Sequence, residues 1–290
     1  MVSLKKLTPS SYKLIVDQAI QEDISTGDIT SKAVNLPDEE FKGFLVSREK
    51  GILSGMDIAK YTLEKIAPNA KISLLKKDGN NLSPNTKIAK ISGLTSEVLT
   101  AERILLNFIQ RLSGIASITK QYADLIKHTN AKILDTRKTT PGWRLLEKYA
   151  VTCGGGYNHR IGLYDMVMIK DNHIASVSKL TKNPIKECIQ RAKKSIGKKK
   201  IKIIVEIDHL SQLEEALLAS PQIILLDNMK PAFLKRAVNL KNSLAPKILL
   251  EASGGVNLKT VKKIAESGVD RISVGALTHS VKALDIGLDG

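Results

Sequence analysis

The stretch that decides the fold of this chain is IKIIVEIDHLSQLEEALLASPQIILLD, residues 201–227. Two short, mainly apolar runs at 201–207 and 222–227 flank a segment with the apolar spacing of a helix. Strands that are apolar on both faces are typical of a parallel sheet covered by helices, because helices supply the crossovers between parallel strands. We therefore predict a strand–helix–strand unit here.

The same alternation extends over the second half of the chain. The other apolar runs are AKILDT (131–136), MVMIK (166–170), KILLEAS (247–253) and DRISVG (270–275), with helical patterns between them. Six strands of this kind favour an incomplete β/α barrel over a doubly wound sheet, and no GxGxxG dinucleotide fingerprint follows a strand.

The first hundred or so residues have a different pattern. Residues 12–21 have helical spacing, 43–55 read as strand, turn and strand, and 71–93 read as two strands around a turn. A long helix is predicted from Leu94 onward, with Gly114 as a possible break because glycine disfavours helix interiors.

Charge and composition limit the classes of function. Of the 290 residues, 45 are Lys or Arg and 29 are Asp or Glu, which gives a net charge of +16. Such a charge attracts anions, either nucleic acid or small phosphorylated substrates. We interpret the lysine-rich run KKSIGKKKIK (193–202) as a solvated turn, since no nucleic-acid-binding motif accompanies it and aromatic content is only 4%.

Membrane and disulfide classes are disfavoured. No stretch approaches the roughly 20 apolar residues of a membrane span, and the start of the chain does not resemble a signal peptide. The two cysteines, Cys153 and Cys188, give no disulfide framework and fit a cytoplasmic protein.

Polar or glycine residues follow the apolar runs where each predicted strand ends. They are Arg137 and Lys138, Lys170, Glu206, Asp227, then Ser253, Gly254 and Gly255, and finally Gly275 and Ala276. In a β/α barrel the carboxyl ends of the strands converge on one face, and active sites are built there. We therefore predict an active site from these residues.

The residue types indicate an anionic substrate. Arg137, Arg160 and the lysines, with His159 near them, suit a ligand with several negative charges. Glu206 and Asp227 are suited to ribose hydroxyls, to Mg²⁺ held through water, or to a developing cation. The alternative for these two carboxylates is a structural ion pair with the lysines.

The glycine-rich segments have separate interpretations. Ser253-Gly254-Gly255 follows a strand and precedes a helix, and with Gly275-Ala276 it predicts a phosphate cradle. Residues 154–156, all glycine, do not follow a strand, and we expect them to let the chain turn toward His159 and Arg160. The alternatives are a flexible loop and a structural His159. Cys153 is interpreted as a packing residue, since no paired base accompanies it.

These residues resemble a known family. The stretch DTRKTTPGWRLLEKYAVTCGGGYNHRIGLYDMVMIKDNHI (135–174) is closely similar to the core of quinolinate phosphoribosyltransferases, the carboxylating nicotinate-nucleotide pyrophosphorylases. The similarity spans almost the whole chain and continues in QEDISTGDITS (21–31), AERILLNFIQRLSGIA (101–116), IVEID (204–208), ILLDNM (224–229), EASGGV (251–256) and ISVGALTHS (272–280). One departure is Trp143, where we expect a smaller apolar residue, and a change of packing beside the substrate loop is its expected effect.

The resemblance implies an architecture and an assembly. It implies a small N-terminal α/β sandwich domain (1–112), an open, incomplete, TIM-like α/β barrel (113–275), and a tail (276–290) that packs back on the first domain. It also implies a cytoplasmic homodimer, with further assembly into a hexamer as an option, in which Arg103 reaches the partner's active site. Neither nucleic acid nor a membrane is an implied partner.

The resemblance also implies the reaction and the role of each residue. Phosphoribosyl transfer from 5-phosphoribosyl 1-pyrophosphate to quinolinate, with decarboxylation, would give nicotinate mononucleotide, pyrophosphate and CO₂ for NAD biosynthesis. The implied quinolinate ligands are Arg103, Arg137, Lys138, His159, Arg160 and Lys170. The implied phosphoribosyl pyrophosphate ligands are Lys138, Lys170, Glu206, Asp227, Ser253, Gly254, Gly255, Gly275 and Ala276. Lys138, Lys170, Glu206 and Asp227 would act electrostatically, and Glu206 and Asp227 would hold Mg²⁺, through water.

Three other functions stay open from sequence. The first is a phosphoribosyltransferase of the same fold that acts on nicotinate, or a molybdenum-associated relative, although three arginines exceed the need of one carboxylate. The second is a barrel lyase or aldolase with Lys170 as a Schiff-base residue, which borohydride would trap. The third is a basic nucleic-acid-binding protein, whose binding would be tight and salt-sensitive.

Overall fold

The computed structural model describes residues 4–34 and 39–290, and the chain divides into two compact units. The barrel unit contains Gln121–Arg137 and Tyr157–Ala276. The N-terminal unit contains Ser3–Lys120, Lys138–Gly156 and Leu277–Gly290. The chain therefore passes between the units at Arg137–Lys138, within the predicted substrate-binding stretch.

The first part of the chain contains four helices and five strands within the described residues. They are α1 Lys13–Asp23, α2 Ile29–Ala33, β1 Glu40–Ser47, β2 Gly51–Ile52, α3 Met56–Ile66, β3 Lys71–Leu74, β4 Asn81–Leu82, β5 Thr86–Leu94 and α4 Thr95–Leu125.

The second part alternates strands with helices. Its elements are β6 Lys132–Leu134, α5 Arg144–Cys153, β7 Met166–Ile169, α6 Asp171–Ser178, α7 Pro184–Ile196, β8 Lys202–Ile207, α8 Leu213–Leu218, β9 Ile223–Asp227, α9 Pro231–Leu244, β10 Leu249–Ser253, α10 Val261–Ala265, β11 Arg271–Ser273, α11 Ala276–His279 and β12 Ile286–Asp289.

An antiparallel sheet forms the centre of the N-terminal unit. Its strand order is β12-β1-β5-β3, so the last strand of the chain lies beside the first. Leu45 of β1, Leu63 of α3, Ile91 of β5 and Leu105 of α4 are buried in one apolar cluster. This core follows from the one-sided apolar pattern of each element, which buries one face and leaves the other polar.

Helix α4 shows that the predicted break at Gly114 is wrong, because the helix continues through this residue. A Cβ on Gly114 would overlap the carbonyl oxygen of Lys282 in the C-terminal segment. Leu284 N also donates to the carbonyl of Gln110, 2.9 Å away. The glycine is therefore needed for close packing of the C-terminal segment against α4 and does not interrupt the helix.

The barrel unit contains a six-stranded parallel sheet with the order β6-β11-β10-β9-β8-β7. The edge strands β6 and β7 are not paired with each other in the described chain, so the barrel is open. Residue Tyr157 lies along the outer side of β6, where its N–H donates to the Ile133 carbonyl at 2.8 Å. The prediction of an incomplete α/β barrel preceded by a small α/β domain is confirmed.

The register of these strands arranges their side chains in layers on one face. The first layer is apolar and consists of Met168, Ile204, Ile223 and Leu249. Two residues further along each strand, the neighbours on the same face are Glu206, Leu225, Glu251 and Arg271. Asp227 and Ser253 are paired in the layer nearest the carboxyl ends. Charge therefore replaces apolar packing as the strands approach their carboxyl ends.

All six predicted strands of the second half are present, and the lysine-rich run contains the expected turn, at residues 197–201 between α7 and β8. Helix α6 was not predicted. Its first turn is capped by His173, whose Nδ1 accepts a hydrogen bond from Lys170 N at 3.0 Å. Among the described residues, no helix has both the length and the apolar character of a membrane span.

Candidate active site

The carboxyl edge of the parallel sheet gathers most of the predicted site residues. Because all strands of this sheet run in one direction, their carboxyl ends lie along the same edge. The residues placed there are Arg137 after β6, Lys170 after β7, Glu206 in β8, Asp227 at the end of β9, Ser253, Gly254 and Gly255 at β10, and Gly275 and Ala276 after β11.

Two arginines form a pair of like charges at this edge. Arg160 is only 8% exposed, and its Nη1 donates to the Met166 carbonyl at 3.3 Å. Its burial and the repulsion of Arg137 lower the pKa of Arg160, and the nearby carboxylates Asp165 and Glu206 offset only part of this effect. The Nε of Arg137 is buried and has no hydrogen-bond partner among the described residues. Buried donors are normally paired, so this arrangement is suited to an anion.

Asp135 fixes the segment that carries Arg160. This carboxylate is fully buried, with Oδ1 accepting from His159 N at 2.8 Å and Oδ2 accepting from Asn158 Nδ2 at 2.6 Å. The segment is thereby tied to the end of β6, directly beside Arg137 in the chain. The sequence showed Asp135 at a strand end, but nothing in it indicated that Asp135 holds a segment more than 20 residues later.

His159 lies inside the barrel unit and is 6% exposed. Its Nδ1 accepts a hydrogen bond from Arg160 N at 2.7 Å, and its Nε2 lies 3.2 Å from Glu251 Oε1. Glu251 Oε2 in turn accepts from Arg271 Nε at 2.7 Å. His159 therefore connects the backbone of Arg160 to a buried ion pair.

Glu251 is charged in this environment. Complete burial by itself would raise its pKa, but the hydrogen bond and charge of His159 and the charge of Arg271 hold the pKa below its ordinary value. A buried carboxylate with such partners stays ionised at neutral pH. Sequence reasoning missed Glu251 and Arg271, because their role depends on register between strands.

Lys170 and Glu206 form an ion pair, with Nζ 2.7 Å from Oε2. The Lys170 side chain is 43% exposed and that of Glu206 is 17% exposed. The contact is the one expected if Glu206 were a structural ion-pair partner. Its partial exposure also leaves both groups accessible to a ligand, so the geometry fits either alternative.

The glycine loop after β10 is shaped by Asn228. Gly254 has φ +86°, and a Cβ on it would overlap Asn228 Oδ1. Asn228 N donates to the Ser253 carbonyl at 2.8 Å, and its Nδ2 donates to Asp227 Oδ2 at 2.7 Å. Gly255 has φ +61° and open space around its Cβ position. Asn228 thus orders both the acidic end of β9 and the glycine loop, a function that sequence reasoning did not assign to it.

Lys138 and Arg103 belong to the N-terminal unit. Lys138 is exposed, follows Arg137 in the chain, and its carbonyl accepts from Thr278 Oγ1 at 2.6 Å. Arg103 is an exposed residue of α4. Trp143 stacks on Phe108 with ring centroids 4.7 Å apart, and a change of packing beside the substrate loop stays a prediction.

The triglycine segment and Cys153 have structural roles in the N-terminal unit. A Cβ on Gly154 would overlap the Ala116 carbonyl, and Gly155 has φ +85°, so close packing and a turn both require glycine. Burial is the main cause that raises the pKa of Cys153 to about 11, which keeps the thiol protonated. The interpretation of Cys153 as a packing residue is consistent with this environment.

The described residues contain no group of three or more His, Cys, Asp or Glu side chains that could ligate a metal ion. Mg²⁺ commonly keeps several waters and binds through one or two carboxylates together with substrate phosphates. Glu206 and Asp227 at the ends of adjacent strands fit that mode of binding.

Comparison with known proteins identifies the family. Family models of the N-terminal and C-terminal domains of quinolinate phosphoribosyl transferase match residues 28–113 and 115–289. The chain belongs to the quinolinate phosphoribosyltransferase family. Its resemblance to this family, inferred from sequence motifs, is confirmed.

Relatives and solved structures of the quinolinate phosphoribosyltransferase family align over nearly the whole chain. The probable carboxylating nicotinate-nucleotide pyrophosphorylase of Bacillus subtilis is 42% identical over 96% of this chain and 92% of its own. That of Mycobacterium leprae is 40% identical over 94% of this chain and 95% of its own. The Francisella tularensis nicotinate-nucleotide pyrophosphorylase structure superposes with a TM-score of 0.92 at 38% identity, covering 100% of this chain and 99% of that one.

Proposed function

We propose that this enzyme transfers a phosphoribosyl group from 5-phosphoribosyl 1-pyrophosphate to quinolinate and releases CO₂, forming nicotinate mononucleotide and pyrophosphate for NAD biosynthesis. The observation that carries the proposal is the buried Nε of Arg137, which has no hydrogen-bond partner among the described residues, together with the guanidinium of Arg160, whose pKa the charge of Arg137 lowers. Two guanidiniums at one edge of the sheet suit a ligand with two carboxylates, and family membership supports the same substrate.

Quinolinate binds through these cations. Arg137 and Arg160 form charge-assisted hydrogen bonds to its carboxylates, with Lys170 and Lys138 as further cations. His159 acts indirectly: it is buried, and its Nδ1 accepts a hydrogen bond from Arg160 N and so holds the backbone of that arginine. For the His159 ring to contact quinolinate directly, as predicted from sequence, it would have to move away from Glu251.

The phosphoribosyl donor binds along the other part of the edge. The backbone of Ser253, Gly254 and Gly255 and of Gly275 and Ala276 holds the 5′-phosphate, because glycine allows the main-chain N–H groups to approach an anion closely. Asp227 and Glu206 hold the ribose hydroxyls. Asn228 keeps the two halves of this arrangement in register.

The transfer step needs no nucleophilic side chain. The pyridine nitrogen attacks C1 of the ribose while the bond from C1 to pyrophosphate oxygen breaks and its electron pair leaves with pyrophosphate. Positive charge develops on the sugar, and the carboxylates of Glu206 and Asp227 stabilise it. Lys170 and Lys138 offset the negative charge of the leaving group.

Decarboxylation follows on the same ring. The bond between ring C2 and its carboxylate breaks, CO₂ leaves, and the electron pair remains on C2 beside the cationic nitrogen, where a proton from solvent then adds. The fixed cations hold the second carboxylate so that the ring stays in place. Glu206 and Asp227 would hold Mg²⁺ through water, and the ion would supply further charge neutralisation.

The assembly and location are also part of the proposal. We propose a homodimer in which Arg103, exposed on α4, completes the partner's site, with a hexamer as a further assembly. The predicted cytoplasmic location is compatible with the two cysteines, which are free thiols. Relatives from plants carry chloroplastic or mitochondrial designations, so location varies within the family.

A coupled assay tests the reaction. Purified protein, phosphoribosyl pyrophosphate and Mg²⁺ are incubated with quinolinate or with nicotinate, and nucleotide product and CO₂ are both quantified. Equal amounts of nicotinate mononucleotide and CO₂ from quinolinate alone are expected. Product from nicotinate without CO₂ would overturn the assignment of quinolinate as the substrate. No product from either acid would overturn the proposed phosphoribosyl transfer.

A further inference from the structure

The chain segment that carries Lys138 is irregular and is held by side chains from α5 and α11, which an arginine of α4 links to each other. Residues 138–143 form neither helix nor strand, yet they join Arg137 to α5. Their backbone groups therefore depend on partners elsewhere. Glu147, Arg111 and Thr278, which hold this segment, lie in the N-terminal unit, to which Lys138 itself belongs.

The first of these partners is Glu147 on α5, a fully buried carboxylate. Its Oε2 accepts from Thr140 N at 3.1 Å, and its Oε1 accepts from Thr140 Oγ1 at 2.9 Å. Oε1 also accepts from Arg111 Nη2 at 3.0 Å. The carboxylate thus clamps Thr140 and is neutralised by a cation from α4.

Arg111 carries the connection onward to α11. The same Nη2 donates to the Thr278 carbonyl at 2.7 Å, and Nη1 donates to the Val281 carbonyl at 3.3 Å. Thr278 is fully buried, and its Oγ1 donates to the Lys138 carbonyl at 2.6 Å. The network begins at Thr140 and returns to the same segment at Lys138.

We propose that Thr278, Arg111 and Glu147 are positioning residues that fix the backbone of Lys138 for phosphoribosyl transfer. This inference rests on the proposed function, in which Lys138 is an active-site cation. The segment is held at both Lys138 and Thr140, so the main-chain position from which the Lys138 side chain extends is fixed. Displacement of a catalytic group by about 1 Å can lower a rate by about 100-fold.

The C-terminal segment around Thr278 and Val281 is held by the same network. Thr278 lies just after the predicted phosphate-binding residues Gly275 and Ala276, and Arg111 fixes its carbonyl and that of Val281. Lys138 and the start of α11 therefore depend on the same arginine. Loss of one contact in this network should therefore impair reaction with the phosphoribosyl donor more than it impairs the binding of quinolinate.

Thr278→Val gives the sharpest test, since valine keeps the volume and removes only the hydroxyl donor. We expect kcat to fall about tenfold, as for loss of one hydrogen bond, with a smaller change in the quinolinate KM. Thr278→Ser keeps the hydroxyl and should restore most of the rate. Thr62→Val is the matched control, because Thr62 is equally buried and donates to the Ile58 carbonyl at 2.9 Å within α3.

A double-mutant cycle separates positioning from general stability. If Thr278 acts through Lys138, then Thr278→Val should have little further effect on kcat in a Lys138→Ala background. Thermal unfolding of each variant is measured in parallel, so that loss of folded protein is recognised. Glu147→Gln, which leaves Arg111 without its carboxylate, should show the same coupling to Lys138.

The outcomes distinguish the two levels of the proposal. Nicotinate mononucleotide from the unaltered enzyme, a slow Thr278→Val variant and loss of its effect in the Lys138→Ala background would support the inference. An active unaltered enzyme with an equally active Thr278→Val variant, or with equal losses in both backgrounds, would overturn the inference alone. No product from the unaltered enzyme would overturn the proposed function and the inference together.

Discussion

Gly254 is the residue at which the proposed phosphate site allows least change. Its φ of +86° disfavours any side chain, and a Cβ would overlap Asn228 Oδ1. Gly254→Ala should therefore displace Asn228 and raise the KM for phosphoribosyl pyrophosphate at least about tenfold, as expected for loss of a hydrogen-bonded contact. Gly255→Ala is the control: its φ is also positive but its Cβ position is open, so we expect only about 1–2 kcal/mol of strain. Equal KM values for the two variants would contradict the proposal that the loop at Gly254 forms part of the phosphate site.

Glu251 provides a prediction about acid stability. Its pKa is lowered in the folded state, so its contribution to stability is present above its unfolded pKa of about 4.3 and is lost as the pH falls through the folded value. Glu251→Gln leaves Arg271 buried without its charge partner and should reduce the free energy of unfolding at pH 7 by about 3–5 kcal/mol. Urea unfolding across pH 3–7 measures both effects, and the variant should lack the Glu251 part of the acid dependence. Glu266→Gln, at an exposed pair with His128, should change stability by at most about 1 kcal/mol.

The sequence predicted positions at strand ends better than it predicted the contacts of individual side chains. Arg137, Lys170 and Asp227 were found because strand direction alone brings them to one edge. A structural His159 was one of the alternatives from sequence, but its partner Glu251 could not be identified, because Glu251 is 92 residues away and faces it only through sheet register. Asn228 was overlooked for a similar reason, since its function depends on the close approach of Gly254.

At the level of elements, α4 shows how tertiary packing overrides local propensity. An exposed helical glycine replaced by alanine normally gains about 1 kcal/mol. Gly114→Ala should instead destabilise the protein by about 1–3 kcal/mol, because the new methyl group would overlap the Lys282 carbonyl. Urea unfolding and proteolysis of the C-terminal segment would measure the effect, with Asn107→Ala on the exposed side of α4 as the control. Increased stability of Gly114→Ala would refute this role of the glycine.

Most strands and helices were predicted from apolar runs and helical spacing, whereas β4 and α6 were missed. The six parallel strands follow from apolar runs, and α7 follows from clear helical spacing. Strand β2 lies where the second strand of 43–55 was predicted, whereas β4, with two residues, lies inside the turn predicted within 71–93. Helix α6 depends on a cap from His173 to Lys170, and capping by histidine is not a common sequence signal.

At the scale of the whole molecule, the predicted active-site stretch crosses from one compact unit to the other. Arg137 is the last residue of its segment in the barrel unit, and Lys138 is the first of the next segment in the N-terminal unit. The sequence predicted both residues as ligands but gave no sign that their backbones are supported by different units.

We propose that Arg103 of each subunit completes the active site of its partner, and this can be tested only in the assembled dimer. Arg103→Ala and Arg137→Ala dimers should each be inactive, since every site lacks one of the two arginines. In a heterodimer of these two chains, purified through two different tags, one site regains both arginines and the other loses both, so about half of the wild-type kcat per dimer should return. A heterodimer of Arg137→Ala and Arg160→Ala chains is the control, because both residues belong to the barrel unit and neither site can become complete. Full activity of Arg103→Ala alone, or no recovery in the first heterodimer, would show that each chain completes its own site.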